Sequence, residues 1–255
     1  MAEIEAVKDG AMTRILINRV DQMNSITPSM HQALQTVFDD FADDDSQYVA
    51  VITGAGKRAF CAGSDLKSGL GKDYPEGGYA GLINRFDLPK PVIAAVNGFA
   101  LGGGFEIALA CDIIVASETA SFGLPEPKVG AVALGGGLHR LPRQIGLKNA
   151  MGLILSSRRV SAQEGHRLGF VNEVVAPENL DSAVQKWCDD ILAGAPLSVQ
   201  ASKMTVQRGL DEWSLEAALA AQEEYPEFVK WRSSEDAHEG ISAFTEKRTP
   251  NWKGC

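Results

Sequence analysis

Residues 90–117 read KPVIAAVNGFALGGGFEIALACDIIVAS, and the fold turns on how this apolar run is parsed. A membrane span needs ~20 consecutive apolar residues, a length this stretch reaches, but Asn97, Glu106, Asp112 and the glycines at 98, 102, 103 and 104 interrupt it. In hydrocarbon such polar groups would lack partners. The run is therefore read as a buried strand over 92–97, a turn at Gly102-Gly103-Gly104, a short helix over 105–110 and a further strand over 112–116. Near-continuous apolar strands linked in this way belong to an α/β architecture in which both faces of the sheet are covered.

The same alternation precedes this run. Residues 13–18 (TRILIN) are strand-like, and 27–41 place Met30, Leu34, Val37, Phe38 and Phe41 at helical spacing behind Thr27-Pro28, a favourable helix start. Residues 48–53 (YVAVIT) read as a buried strand ending at Gly54, and Ala59-Phe60-Cys61 as a short one. Segment 66–88, with Gly69, Gly71, Pro75, Gly77, Gly78 and Gly81, carries no period and is expected as a mobile surface loop leading into a short helix. From Ala195 onward only helical patterns remain, over 196–209, 214–231 and 234–246. The expected organisation is an α/β body over 1–195 and a helical region over 196–255 that serves assembly, because Leu197, Val199, Met204, Trp213, Leu215, Phe228 and Phe244 exceed what a short appendage can bury alone.

Composition narrows the function. A chain of 255 residues suits one main domain with an appendage, and 45% hydrophobic with 22% charged residues excludes disordered and collagen-like classes. The 33 acidic residues outnumber 24 basic ones, giving a net charge of −9, and no Lys/Arg stripe runs along a helix. Nucleic acid and anionic membranes are poor partners for such a surface. Cys61, Cys111, Cys188 and Cys255 form no C-x-x-C pair, and His31, His139, His166 and His238 are not at ligand spacing from them. A reduced, cytoplasmic protein without metal is expected. Residues 1–10 carry Glu3, Glu5 and Asp9 and show no targeting pattern.

The excess glycine, 26 of 255 residues or about a tenth against the usual ~7%, is clustered, and the clusters mark the candidate chemistry. Gly54-Ala55-Gly56-Lys57 lacks P-loop spacing and Gly102-Gly103-Gly104 lacks the dinucleotide continuation. Glu106 stands in the first turn of a helix inside an apolar segment, where it either complements the helix dipole or, if buried, gains a pKa suited to proton transfer. Twenty residues later, Glu126 follows the rigid Leu124-Pro125 turn and precedes Gly135-Gly136-Gly137; it reads either as a second reactive carboxylate or as a solvated loop residue. Ala62-Gly63-Ser64-Asp65 and the helix start at Gly103 can each direct backbone N–H groups outward. Two such donors converging on one point would form an oxyanion hole.

These residues resemble the crotonase, or enoyl-CoA hydratase/isomerase, superfamily over essentially the whole chain. The resemblance is carried by ITGAGKRAFCAGSDLK (52–67), the 90–117 run, SFGLPEPKVG (121–130), GGGLHRLPRQIG (135–146), SAQEGHRLGFVNEVV (161–175) and SAFTEKRTPNWKG (242–254). The closing EKRTPNWKG is also similar to the carnitinyl-CoA dehydratase-like branch. The resemblance implies a spiral of repeated ββα turns and a C-terminal helical region that assembles homotrimers, commonly paired into hexamers as dimers of trimers. It implies an acyl-CoA thioester substrate, with CoA entering as part of that substrate and no separate cofactor. Glu106 and Glu126 match the two catalytic carboxylates, and Ser64 and Gly103 the residues whose N–H groups bind the thioester oxygen. Ala62, Gly63, Asp65, Leu66 and Lys67 match the edge that receives CoA, and Lys247 the tail residue that reaches CoA phosphate in a neighbouring subunit.

Two departures stand out. Ser64 occupies a place where Ala is common, and Ala131-Val132-Ala133-Leu134 lacks the Pro often found ahead of the later glycine loop. The implied activity is reversible hydration of α,β-unsaturated acyl-CoA. The alternatives are a carnitinyl-type dehydration, double-bond isomerisation, or thioester hydrolysis with Ser64 as nucleophile. Some family members bind RNA through a lysine-rich helix, but 27–43 ends in Asp39, Asp40 and Asp43.

Overall fold

The computed structural model describes residues 2–68 and 74–255. Strands β1 (Ile4–Asp9) and β2 (Met12–Ile17) form an antiparallel hairpin, with Asp9 opposite Met12 across a tight turn at Gly10. Helix α1 (Pro28–Asp43) follows, its N-cap Thr27 and first-turn Pro fulfilling the sequence signal, with Met30, Leu34, Phe38 and Phe41 on its buried face. β3 (Val49–Gly54) then pairs parallel with β2.

From β3 onward the chain alternates between two sheets. β4 (Ala59–Cys61) is in the second sheet, β5 (Val92–Val96) in the first and β6 (Phe99–Leu101) in the second. After α2 (Gly103–Ala110), β7 (Ile113–Ser117) returns to the first sheet and β8 (Ser121–Gly123) to the second. The six-stranded sheet runs β1-β2-β3-β5-β7-β10 and the four-stranded one β4-β6-β8-β9, where β9 is Val160–Ser161 and β10 is Glu173–Val175. Each successive pair of strands thus adds one rung to both sheets, the ββα spiral that the sequence resemblance implies. The 90–117 run supplies β5, β6, α2 and β7.

Helices α3 (Gly137–Ile145) and α4 (Leu147–Ser156), strand β9 (Val160–Ser161), helix α5 (Ala162–Leu168) and strand β10 (Glu173–Val175) complete this body. β5 is buried at every position, as expected for a strand covered on both faces. Phe105, Phe122 and Phe170 pack with ring centroids 5.1–5.3 Å apart, tying α2 to β8. That packing fixes the helix start on which the site depends.

The chain divides into two units, one of residues 1–86 and 92–186 and one of 87–91 and 187–255. The division falls inside α6 (Leu180–Leu192). The second unit continues with α7 (Pro196–Asp211), α8 (Leu215–Ala221), α9 (Pro226–Arg232) and α10 (Glu235–Glu246). A single helix over 214–231 is not what forms. Pro226 cannot donate to the preceding turn, so the chain breaks at Tyr225 and restarts with Pro226 at the first helical position.

The expected surface loop also needs correction. Gly69 and Gly71 lie outside the described residues, but Tyr79, Ala80, Gly81, Leu82 and Ile83 are buried. Among the described residues no helix is long and apolar enough to cross a membrane.

Candidate active site

The site grows from the start of α2. Gly102 adopts φ 55° and ψ −127°, a conformation open essentially only to glycine, and its N–H is held by Gly123 O at 2.9 Å. This turn starts the helix, so the N–H groups of Gly103 and Gly104 lie in its first turn, where no intrahelical acceptor exists. Glu106 N donates to Gly102 O at 3.0 Å, which places the Glu106 carboxyl one turn in.

That carboxyl is 3% exposed and accepts one strong bond, from Gly137 N to Oε1 at 2.9 Å. Gly135 and Gly137 press close: a Cβ at Gly135 would lie 2.5 Å from Glu106 Oε2. The 135–137 cluster is therefore the lid against which Glu106 packs. Burial raises the Glu106 pKa from 4.5 to about 7, against the pull of the Gly137 N–H, and the charge of Glu126 adds to the rise. The Gly135 backbone and the charge of Arg140 act in the opposite direction.

Glu126 arrives by a different route. β8 pairs with β6, the chain turns at Pro125, and Glu126 opens a 3-10 turn over Glu126–Val129. Its Oε1 lies against the α2 start, where a Cβ at Gly102 would be 2.8 Å away. Burial raises its pKa too. Its Oε2 is buried with no hydrogen-bond partner among the described residues, although buried polar atoms ordinarily have one. An unpartnered carboxylate oxygen beside a carboxyl of pKa about 7 is suited to exchanging protons with a small ligand.

The 62–65 turn approaches the same helix start. A Cβ at Gly63 would lie 3.2 Å from Gly103 N and 3.0 Å from Leu101 O, so this turn packs directly on the first residue of α2. Gly63 O accepts from Ile26 N, and Asp65 N donates to Ile26 O, at 2.8 and 2.9 Å. This short parallel bridge holds Ser64 between two fixed points. The Asp65 carboxyl is engaged elsewhere, with the Arg19 guanidinium 2.9 Å away holding it below the usual carboxylate range. Ala62 is half-buried, while Leu66 and Lys67 are exposed on the 3-10 turn that follows. Lys247 belongs to the second unit, where it ends α10 in a left-handed conformation, φ 56°.

The structure adds residues that the sequence reading passed over. Tyr79 is 4% exposed, its hydroxyl accepting from Ser64 Oγ at 3.3 Å. His31 packs edge-on to Tyr79 and Tyr74, with centroids 4.5 and 5.0 Å away. Burial holds its pKa at about 4, so the ring is neutral. Arg140 on α3 donates to Ile83 O at 2.6 Å and stands over the Phe86 ring. An aromatic framed by glycines, Gly77-Gly78-Tyr79-Ala80-Gly81, was the available signal for the first of these.

Comparison with known proteins identifies the family. The enoyl-CoA hydratase/isomerase family model matches residues 8–255. The chain is 42% identical to the carnitinyl-CoA dehydratase of Proteus mirabilis, covering 96% of each protein. It is 40% identical to that of Salmonella typhi, covering 98% of each. Among solved structures, the enoyl-CoA hydratase of Mycobacterium tuberculosis superposes with a TM-score of 0.93 at 38% identity over 99% of each chain. That of Bacillus anthracis superposes at 0.91 and 34% over the full length of both. With its family model, its relatives and its spiral of paired sheets all in accord, the chain belongs to the enoyl-CoA hydratase/isomerase family, within the crotonase superfamily.

Proposed function

We propose that the chain catalyses reversible addition and elimination of water at the α,β-bond of an acyl-CoA thioester. The observation that carries this reading is the Glu106–Glu126 pair: two carboxyls of raised pKa beside one helix start, one of them with an unpartnered buried oxygen. Hydration needs a base for the water proton, an acid for the α-carbon, and a stabiliser for the enolate between. One carboxylate takes a proton as the water oxygen bonds to the β-carbon, and the electron pair of the double bond moves toward the thioester oxygen. The other carboxyl then delivers its proton to the α-carbon, and dehydration reverses each step. Environments that separate the two protonation states make such a division workable.

The N–H groups of Ser64 and Gly103 are the candidate donors to the enolate oxygen, and each donor of this kind contributes roughly 2.7–4 kcal/mol to a barrier. Support comes from the Gly63–Gly103 contact, which brings the two segments together. Hydrolysis through Ser64 is disfavoured, because its hydroxyl is bonded to the Tyr79 phenol. Burial pushes that phenol well above its ordinary pKa, so it is no base at neutral pH.

The relatives named carnitinyl-CoA dehydratase favour a β-hydroxyacyl substrate with a polar tail as the second reading. A panel of enoyl-CoA and β-hydroxyacyl-CoA thioesters, the carnitinyl form included, tests both by the absorbance of the conjugated thioester. Loss or gain of that absorbance without free thiol is the expected result. Release of CoA thiol, or no change with any member, would overturn the proposal.

A further inference from the structure

Both candidate oxyanion donors sit on backbone with little side chain to lock it. Gly103 lies within three consecutive glycines, and Ser64 follows Gly63. Glycine has the most backbone freedom to lose, yet an oxyanion hole works only when its donors stay within a few tenths of an ångström of their target. The Ile26 bridge holds one segment and the Gly102–Gly123 bond the other, so a contact shared by both segments is what relates the two donors.

We infer that Tyr79 is a positioning residue that fixes the Ser64 and Gly103 N–H groups relative to each other, an inference that rests on the acyl-CoA reading above. Its ring takes the space that a side chain at 103 would fill: a Cβ there would lie 2.4 Å from both Cζ and Oη of Tyr79. The same Oη receives the Ser64 hydroxyl at 3.3 Å. One side chain therefore touches both donor-bearing residues.

Tyr79 is itself held firmly. Its ring packs on His31 of α1 at 63° between planes, and His31 Nδ1 accepts the Ala80 N–H at 2.9 Å. The neutral state of His31 leaves that lone pair free to accept. Ala80 has φ 55° and ψ 21°, a left-handed conformation that is unfavourable for a non-glycine residue and persists only where its surroundings enforce it. The His31 bond holds Ala80 in that conformation, and the Tyr79 ring beside it lies against Gly103. Ser64, in the place where Ala is common, supplies the hydroxyl that completes the link.

The test uses a chromophoric conjugated thioester, cinnamoyl-CoA, whose absorbance moves to the red when its carbonyl is polarised. The parent protein should bind it with a red shift. Tyr79→Leu should keep less than about half of that shift while the Kd stays within about threefold, because the ring acts on the donors to the carbonyl and not on CoA. Tyr79→Phe keeps the ring against Gly103 but loses the bond from Ser64, and should give a shift between those of the parent and of Tyr79→Leu. Hydration kcat should follow the shift across the series with KM little changed. Should Tyr79→Leu fail to fold by circular dichroism, Tyr79→Met refills the volume without a rigid ring and carries the same expectation. A folded Leu or Met variant with the parental shift, or a Phe variant that loses as much as Leu, would overturn the inference. A parent protein that binds the probe with no shift, or not at all, would instead remove the acyl-CoA reading and this inference with it.

Discussion

Ionising Glu106 places a charge on a side chain that is 3% exposed, and its pKa of about 7 against an ordinary 4.5 measures the cost. The folded chain holds this proton more tightly than the unfolded chain, so the stability linked to it is complete below pH 4.5 and is lost as pH rises through 7. The loss amounts to the order of 3 kcal/mol by pH 8. Glu106→Gln cannot ionise and still accepts the Gly137 N–H. It should therefore gain stability over the parent as pH rises from 5 to 8 in urea titrations, and a constant difference across that range would refute the raised pKa. The same variant, and Glu126→Gln, should lower hydration kcat by ~10²-fold or more. A folded variant losing less than tenfold removes that residue from the mechanism, and the double variant should lose less than the product of the two. These two carboxyls were legible from sequence because a lone acid in an apolar run, or after a rigid Pro turn, needs an explanation. Tyr79 was not, because its role depends on contacts with residues 31, 64 and 103, which no local pattern reports. Lys67 and Lys247 were named by resemblance alone, and both side chains are exposed.

At the scale of elements, the site is a meeting of three short segments: the 62–65 turn, the start of α2 and the turn into Glu126. In the proposed function the backbone N–H groups act there, so substitutions should separate by what they do to those groups. Ser64→Ala removes one hydroxyl contact and should stay within a few-fold of the parent. Ser64→Pro deletes the N–H and should be nearly inactive in hydration while folding normally; substantial hydration by folded Ser64→Pro would sink the oxyanion role. An inactive but folded Ser64→Ala that also stops thiol release would establish the nucleophile reading instead. Sequence periodicity found α1, α2, β3, β5 and β7 within about two residues of where they form, because buried strands and one-sided helices leave strong patterns. It missed β1, whose exposed Ala6, Val7 and Lys8 give an edge strand no apolar period. It ran α8 and α9 together because the apolar spacing continues across Tyr225-Pro226, where the ring of proline overrides it.

For the whole molecule, the deciding observation is which apolar residues of the second unit are covered. Leu197 and Met204 are, at 4% and 1% exposure. Leu210, Trp213, Leu215 and Phe244 are not, and are 76–87% exposed. Burying one such side chain is worth about 1.5–3 kcal/mol, so a set of four is a strong drive toward association, and a net charge of −9 is too small and too dispersed to oppose it at physiological salt. We propose that these residues are covered by further copies of the chain, as homotrimers or as hexamers built from two trimers. Light scattering at micromolar concentration should then give a mass of three or six chains. Replacing Leu210 and Trp213 together with Glu should shift that mass toward the single chain, since a charge within an apolar contact must be desolvated without a partner. A parent protein that is monomeric would contradict the assembly, and it would also exclude Lys247 as a contact between subunits. If the Glu variant falls apart yet retains its hydration kcat, the glutamate pair needs nothing from a neighbour; a fall in mass matched by a rise in KM for the CoA thioester, with kcat preserved, would place part of the CoA site on the adjoining chain.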